Sequence, residues 1–215
     1  MLKPRSMDRR SFLALGALAI AGGAAAQQPS ARKRVLRVAH LTDVHVQPER
    51  SAAEGLAACL EHMQGQKDKP DLILFGGDNI MDAFAQTRDR TRTQWDVWHR
   101  VLKANCSLPW EACIGNHDVW GWSDSSKARA DEMGYGKAWA VDELKLSGRF
   151  RTFDKAGWKF IVLDSTHLGD KPNTYTAKLD EEQFEWLAAQ LKATPQGTPV
   201  AILSHIPILA ACPFL

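Results

Sequence analysis

Residues 71–79 read DLILFGGDN and place a short apolar run directly before two glycines and a carboxylate. An apolar run of this length, bounded by turn residues, is typical of a strand that is buried on both faces. The glycines allow a sharp backbone turn, which brings Asp78 close to the end of the strand. Three other segments of the chain repeat this arrangement, and the four segments together indicate the fold.

Those three segments are also apolar runs that end in polar residues. They cover residues 35–41, 110–114 and 199–203, and are followed by Thr42-Asp43-Val44-His45, Gly115-Asn116-His117-Asp118 and Ser204-His205-Ile206-Pro207. In open α/β sheets, ligand sites lie beyond the carboxyl ends of the strands. We therefore expect the four polar clusters to meet at one edge of the fold.

Helical patterns alternate with the early strands. They cover residues 52–64, 91–104 and 179–193, and a predicted hairpin joins residues 150–154 to 158–164. Early alternation of strands and helices followed by a hairpin indicates an α/β fold. The predicted architecture is two mixed β-sheets packed as a sandwich and flanked by helices.

The polar clusters indicate a metal site. Residues two apart in an extended segment project to the same side, so Asp43 and His45 are predicted to bind one cation together. Each motif alone is weak evidence, since Asp-x-His occurs by chance and a Gly-Asp pair after a strand is usually only a turn. Gly-Asn-His-Asp is more specific, because an amide and an imidazole after a glycine suit ligation better than packing. The order and common position of all four motifs carry the prediction.

In this order the motifs resemble the calcineurin-like metallophosphoesterase superfamily, whose pattern is D-x-H, GD, GNH[D/E], H and GH-x-H. The resemblance covers about residues 35–210. The first four motifs are present as Asp43/His45, Asp78, Asn116-His117-Asp118 and His205. The fifth is absent, because the ten residues after His205 contain no GH-x-H.

The resemblance implies two divalent metal ions. It assigns Asp43 and His45 to one ion, Asn116 and His205 to the other, and Asp78 to both. A shared carboxylate holds two cations ~3.5–4 Å apart, and their charge converts a bridging water to hydroxide near neutral pH. Carboxylate, imidazole and amide ligands suit Mn, Fe or Zn, and the residues do not choose among them.

The resemblance also implies hydrolysis of a small-molecule phosphomonoester or phosphodiester. His117 is then placed to contact the phosphate and protonate the leaving oxygen, and Asp118 is expected to orient its imidazole. A different interpretation remains open: with the last metal ligands absent, the chain is a catalytically dead or weakly metal-binding fragment.

The N-terminal residues indicate export. Arg9-Arg10 begins a twin-arginine pattern, an apolar stretch follows, and Ala24-Ala25-Ala26 offers a cleavage site. The apolar stretch is shorter than the ~20 residues of a membrane span, although an uncleaved anchor is the competing interpretation. The predicted organisation is a signal peptide at 1–26, a linker at 27–34 and a phosphoesterase domain at 35–215, in a periplasmic or secreted protein.

Charge argues against a nucleic-acid partner. The chain has 27 basic and 25 acidic residues, and without residues 1–26 it keeps 23 basic and 24 acidic ones. No basic excess is left for binding nucleic acid or an anionic membrane. The four cysteines are not at zinc-finger spacing and are expected to be unpaired. Nothing in the residues indicates an oligomeric state.

Overall fold

A computed structural model describes residues 33–207 of the chain. The predicted signal peptide, most of the predicted linker and residues 208–215 lie outside the described residues. Export and the domain boundaries therefore stay predictions.

The first sheet contains three parallel strands in the order β1-β2-β3. They are β1 (Val38–Leu41), β2 (Leu72–Phe75) and β3 (Trp110–Ala112). Helix α1 (Ala52–Gln64) connects β1 to β2, and helix α2 (Arg88–Asn105) connects β2 to β3. The parallel pairing directs the carboxyl ends of all three strands to the same edge of the sheet.

The middle strand β2 is buried on both faces, as its unbroken apolar run predicts. Leu72 and Leu74 belong to one apolar core, whereas Ile73 and Phe75 belong to another. This alternation follows the two-residue period of a strand. The core around Ile73 and Phe75 contains the apolar faces of α1 and α2, including Trp98 from α2.

The second sheet is mixed and packs against the first. Strand β4 (Arg151–Lys155) pairs antiparallel with β5 (Trp158–Val162), which pairs parallel with the last strand, Val200–Leu203. The core between the two sheets joins Leu72 and Leu74 to residues of the second sheet: Phe160, Val162 and Leu203. Burial of these side chains is the main stabilising contribution at this interface.

Smaller elements complete the described part. Strands β6 (Thr166–Leu168) and β7 (Tyr175–Ala177) form a separate hairpin, so Val200–Leu203 is β8. Helix α3 covers Ala138–Glu143. Helix α4 covers Glu181–Ala193 and begins where Asp180 accepts a hydrogen bond from the Gln183 N–H, at 3.0 Å, which is a typical N-cap.

The predicted fold class is confirmed: two sheets form a sandwich with helices alongside, although the first sheet has only parallel pairs within residues 33–207. Cys59, Cys106 and Cys113 are free, and Cys212 lies outside the described residues. In the described part of the chain, no helix combines the length and apolar character that a membrane span requires.

Candidate metal centre

The loops that follow β1 and β2 continue side by side beyond the sheet. Asp43 N–H donates to the Gly77 carbonyl at 3.1 Å, and His45 N–H donates to the Asp78 carbonyl at 2.9 Å. Val46 N–H donates to the carbonyl of the next residue, Asn79, at 3.2 Å. These bonds fix two predicted ligand loops against each other, so the position of Asp78 depends on that of Asp43 and His45.

The backbone at these ligand candidates is left-handed. The φ angles are 53° at Asp43, 48° at His45 and 53° at Asp78, a region that few non-glycine residues adopt. The expectation of an extended segment at Asp43 and His45 is therefore wrong, although their side chains do meet. Left-handed residues of this kind cluster at functional sites, where the surrounding structure holds them.

Asp43, His45 and Asp78 form the first group of donor atoms. The His45 Nε2 atom lies 3.6 Å from Asp78 Oδ2 and 3.9 Å from Asp43 Oδ1, and one donor from each residue lies within 4.8 Å of the others. His45 Nδ1 lies 3.4 Å from the Met81 carbonyl. A proton on Nδ1 that faces this carbonyl leaves Nε2 free to bind a cation.

His205, Asn116 and Asp78 form the second group. His205 Nε2 lies 3.0 Å from Asn116 Oδ1 and 3.4 Å from Asp78 Oδ1. His205 Nδ1 lies 2.8 Å from the Gly76 carbonyl, so this histidine is also held through Nδ1. Strand β8 therefore brings His205 to the same edge as the first sheet, as predicted.

Two glycines allow this close approach. A Cβ atom on Gly115 would lie 2.1 Å from Asp78 Oδ1, a distance that no side chain tolerates. A Cβ on Gly77 would lie 2.6 Å from His205 Nδ1, and Gly77 also has a positive φ of 92°. The glycines of the GD and GNH motifs are thus required by packing between the loops.

The donor chemistry fits divalent cations. Asp78 is 3% exposed and His205 is half-buried. With each Nδ1 proton directed at a carbonyl, the Nε2 lone pairs face carboxylate and amide oxygens. Such a cluster of acceptors is satisfied by a metal ion, and mixed nitrogen and oxygen ligands are typical of first-row transition metals and zinc.

His117 lies beside both groups without belonging to either. Its N–H donates to Asp78 Oδ1 at 2.9 Å, and its ring packs edge-on against His45 with the centroids 4.9 Å apart. The Nδ1 atom is buried without a hydrogen bond, and Asp82 Oδ1 is 3.9 Å away. Asp82 was not found from the sequence, where its only signal is a carboxylate four residues after Asp78.

Asp82 is itself held in place. Its carboxylate accepts hydrogen bonds from Ala85 N–H at 3.1 Å and from the Gln86 side chain at 3.0 Å. Its backbone pairs with the buried Gln94 side chain of α2, through contacts of 2.8 and 2.7 Å. The carboxylate beside His117 therefore has a fixed position.

Asp118 does not contact the His117 imidazole, and the expectation that it orients this ring is wrong. Its carboxylate is fully buried and accepts hydrogen bonds from the Gly115, Asn79 and Ile80 N–H groups, and from the Asn79 side chain. Burial, and then the negative charge of Asp78, raise the pKa of Asp118 to about 6. The Asp118 carboxylate thus links the two ligand loops through buried hydrogen bonds.

The comparisons with known proteins agree on one family. The family model of calcineurin-like phosphoesterases matches residues 36–214. The chain is 25% identical, over 80% of its length, to a probable glycerophosphodiester phosphodiesterase (GpdQ) of Arcobacter nitrofigilis. It is 25% identical, over 87% of its length, to the 3',5'-cyclic adenosine monophosphate phosphodiesterase (CpdA) of Escherichia coli K12. The matches span 57% and 61% of these two relatives, so the chain covers about three-fifths of their length.

Proposed function

The chain belongs to the calcineurin-like phosphoesterase family, a family of hydrolases, and we propose that the protein hydrolyses a small-molecule phosphodiester at a dinuclear metal centre. A diester is favoured over a monoester because both relatives are described as phosphodiesterases. The donor groups on two sides of Asp78 support a dinuclear centre.

The observation that carries the proposal is that the two oxygens of the Asp78 carboxylate face different histidines. Oδ2 is directed to His45, and Oδ1 is directed to His205. Asp43 completes the first group and Asn116 the second. One buried carboxylate between two sets of ligand atoms is the arrangement that two-metal hydrolases use to hold both ions.

Two bound divalent ions would supply a nucleophile from water at neutral pH and would neutralise charge on the phosphoryl group. The protein residues contribute the proton for the leaving group. The His117 imidazole gives its proton to the leaving alcohol oxygen. Asp82 orients this ring from the side of its buried Nδ1 atom. In unliganded sites such contacts are often longer than hydrogen bonds and shorten with substrate bound, which fits the 3.9 Å distance between Asp82 and His117.

The test uses the complete protein as its gene encodes it. The metal-free protein is loaded with Mn²⁺, Fe²⁺ or Zn²⁺, and bound metal and hydrolysis of bis(4-nitrophenyl) phosphate are measured. Chelation should abolish turnover and re-addition of metal should restore it. Asp78→Asn should abolish turnover and lower the bound-metal count, since one residue serves both ions. Asp96→Asn, an exposed carboxylate of α2, is the matched control.

Two results would contradict the proposal. Two metal ions retained by Asp78→Asn, with near-normal kcat, would show that Asp78 is not shared. Metal bound by the wild-type protein without hydrolysis of any diester would favour the metal-binding interpretation over an enzyme.

The predicted periplasmic or secreted location is also proposed, on the twin-arginine pattern at Arg9-Arg10.

A further inference from the structure

The base of the β6–β7 hairpin is joined to the histidine side of the candidate metal centre. Ser165 directly precedes β6, and its hydroxyl accepts a hydrogen bond from Ile206 N–H at 2.8 Å. Ile206 is the residue after His205. On the other side of the base, Lys178 N–H donates to the Ser165 carbonyl at 3.2 Å. The hairpin therefore begins and ends beside a predicted metal ligand.

The tip of the hairpin is connected to the segment that follows the GNH motif. Asn173 Oδ1 accepts a hydrogen bond from the Ser123 hydroxyl at 2.9 Å, and Ser123 N–H donates to the Phe84 carbonyl at 3.2 Å. The residue before Phe84 is Ala83, whose N–H donates to the His117 carbonyl at 2.7 Å. The hairpin is thus linked by hydrogen bonds to Ile206 at its base and, through Ser123, to the Phe84 segment at its tip.

Two large side chains on one face of this hairpin are about half exposed to solvent. Leu168 and Tyr175 are direct cross-strand partners, so their side chains lie on the same face. They are 50% and 47% exposed. The Tyr175 ring has an edge-to-face contact with Phe84, with the centroids 6.1 Å apart and the planes at 78°. That contact holds the tyrosine ring in place and leaves part of its surface open.

A cavity adjoins the base of the hairpin. Its volume is about 200 Å³, and its walls are mainly apolar: they are formed by Ser165, Ala177, Lys178, Leu179, Ile206 and Pro207. Lys178 is the single charged residue among these lining residues. A mainly apolar cavity with one positively charged side chain, next to the His205 loop, suits an uncharged or anionic organic group better than a cationic one.

We propose that the hairpin face with Leu168 and Tyr175 binds the organic group of the phosphodiester, and that it favours a nucleobase over a small polyol. The inference rests on the proposed hydrolase function and selects between the two kinds of diester that the relatives' names state. A flat base covers apolar surface of both side chains and stacks on a fixed aromatic ring. Glycerol offers neither a ring nor enough apolar area.

The experiment compares two diesters with the complete, metal-loaded protein: 3',5'-cyclic adenosine monophosphate and glycerophosphoglycerol. Tyr175→Ala should raise KM for the cyclic nucleotide about tenfold, as loss of one base–aromatic stack does, with kcat changed less than twofold. KM for glycerophosphoglycerol should change less than twofold. Tyr175→Phe keeps the ring and should behave as wild type. Phe184→Ala is the matched control, because Phe184 is a 63% exposed aromatic residue on α4.

Different results would contradict the proposed function and the nucleobase inference. Absent turnover of every diester by the wild-type protein would contradict the function. A wild-type preference for glycerophosphoglycerol, or equal KM changes for both diesters in Tyr175→Ala, would overturn the inference alone. Binding of adenosine 5'-monophosphate, measured by calorimetry with Mn²⁺ present, decides the inference without turnover: Tyr175→Ala should weaken binding about tenfold, and unchanged affinity would overturn it.

Discussion

The backbone N–H and the side-chain amide of Asn79 both donate to the carboxylate of Asp118, at 2.8 and 2.9 Å. Asn79 follows the predicted bridging residue Asp78, and Asp118 follows His117 in the next ligand loop. Gly115 N–H donates to the same carboxylate at 2.8 Å. This buried cluster of hydrogen bonds, rather than the metal ligands alone, fixes the distance between the two loops.

Asp118→Asn is therefore expected to destabilise the protein and to weaken metal binding together. The new amide NH₂ would face N–H donors in a fully buried position, which costs roughly 1–3 kcal/mol. Differential scanning calorimetry should show a Tm lowered by about 2–12 °C, and metal content should fall in parallel. Asp96→Asn should change neither quantity. Normal stability with a selective loss of kcat would instead mean that Asp118 acts in catalysis.

Apolar patterning was sufficient to predict the strands of the two main sheets and the edge where the ligands meet, but it did not predict the β6–β7 hairpin. Each strand is a short apolar run followed by polar residues, and the parallel pairs β1–β2 and β2–β3 send their ends in one direction. The pattern did not predict the left-handed backbone at Asp43 and His45. That geometry is held by hydrogen bonds to Gly77 and Asp78, which are more than thirty residues away in the chain.

The errors around His117 have a related cause. Asp118 is next to His117 in sequence and was expected to act on it, but its side chain is directed into the buried hydrogen-bond cluster. Asp82 is distant in sequence and has no local signature. It lies near His117 because Gln94 of α2 holds its backbone, and such tertiary contacts are not encoded in any one segment.

We expect Glu143 to make the free energy of unfolding depend on pH in the acid range. His99 Nε2 and Trp139 Nε1 each lie 2.7 Å from its carboxylate, and Arg92 forms an ion pair with it. Burial opposes ionisation, but the hydrogen bonds from His99 and Trp139 and the charge of Arg92 outweigh it and lower the pKa of Glu143. A group with a lowered folded-state pKa contributes stability above its unfolded pKa of about 4.3, and this contribution is lost as pH falls through the folded pKa.

Glu143→Gln is thus expected to lower the free energy of unfolding at neutral pH and to converge with wild type in acid. Urea unfolding at a series of pH values from 7 to about 3 measures the difference. Glu185→Gln, an exposed carboxylate on α4, is the control and should follow the wild-type curve. A difference that stays constant across the series would exclude linkage through the Glu143 proton.

Export can be tested through the arginine pair. Replacing Arg9-Arg10 with two lysines keeps the charge but removes the signal that the twin-arginine route reads. In a bacterial host that has the twin-arginine route, the precursor should then accumulate in the cytoplasm, as fractionation and immunoblotting would show. Unchanged delivery of the lysine version would point to the general secretory route.

His117→Ala is expected to remove a proton donor while leaving the metal ligands in place. The imidazole belongs to neither group of donor atoms, and only its backbone N–H contacts Asp78. Metal content should therefore stay near the wild-type value, and kcat should fall by about 10²–10⁴. His62→Ala, an exposed histidine of α1, is the control. Metal loss in His117→Ala would identify His117 as a ligand instead.

Asp82→Asn tests whether this carboxylate acts through His117. Its Oδ1 lies 3.9 Å from the buried His117 Nδ1, and removing its charge should lower kcat by about 10–100-fold with metal content and KM retained. Because two residues that act as a unit are not additive, the double variant with His117→Ala should be no slower than His117→Ala alone. Asp89→Asn, on the exposed first turn of α2, is the matched control. If the two losses multiply in the double variant, Asp82 supports the site independently of His117 and its positioning role is refuted.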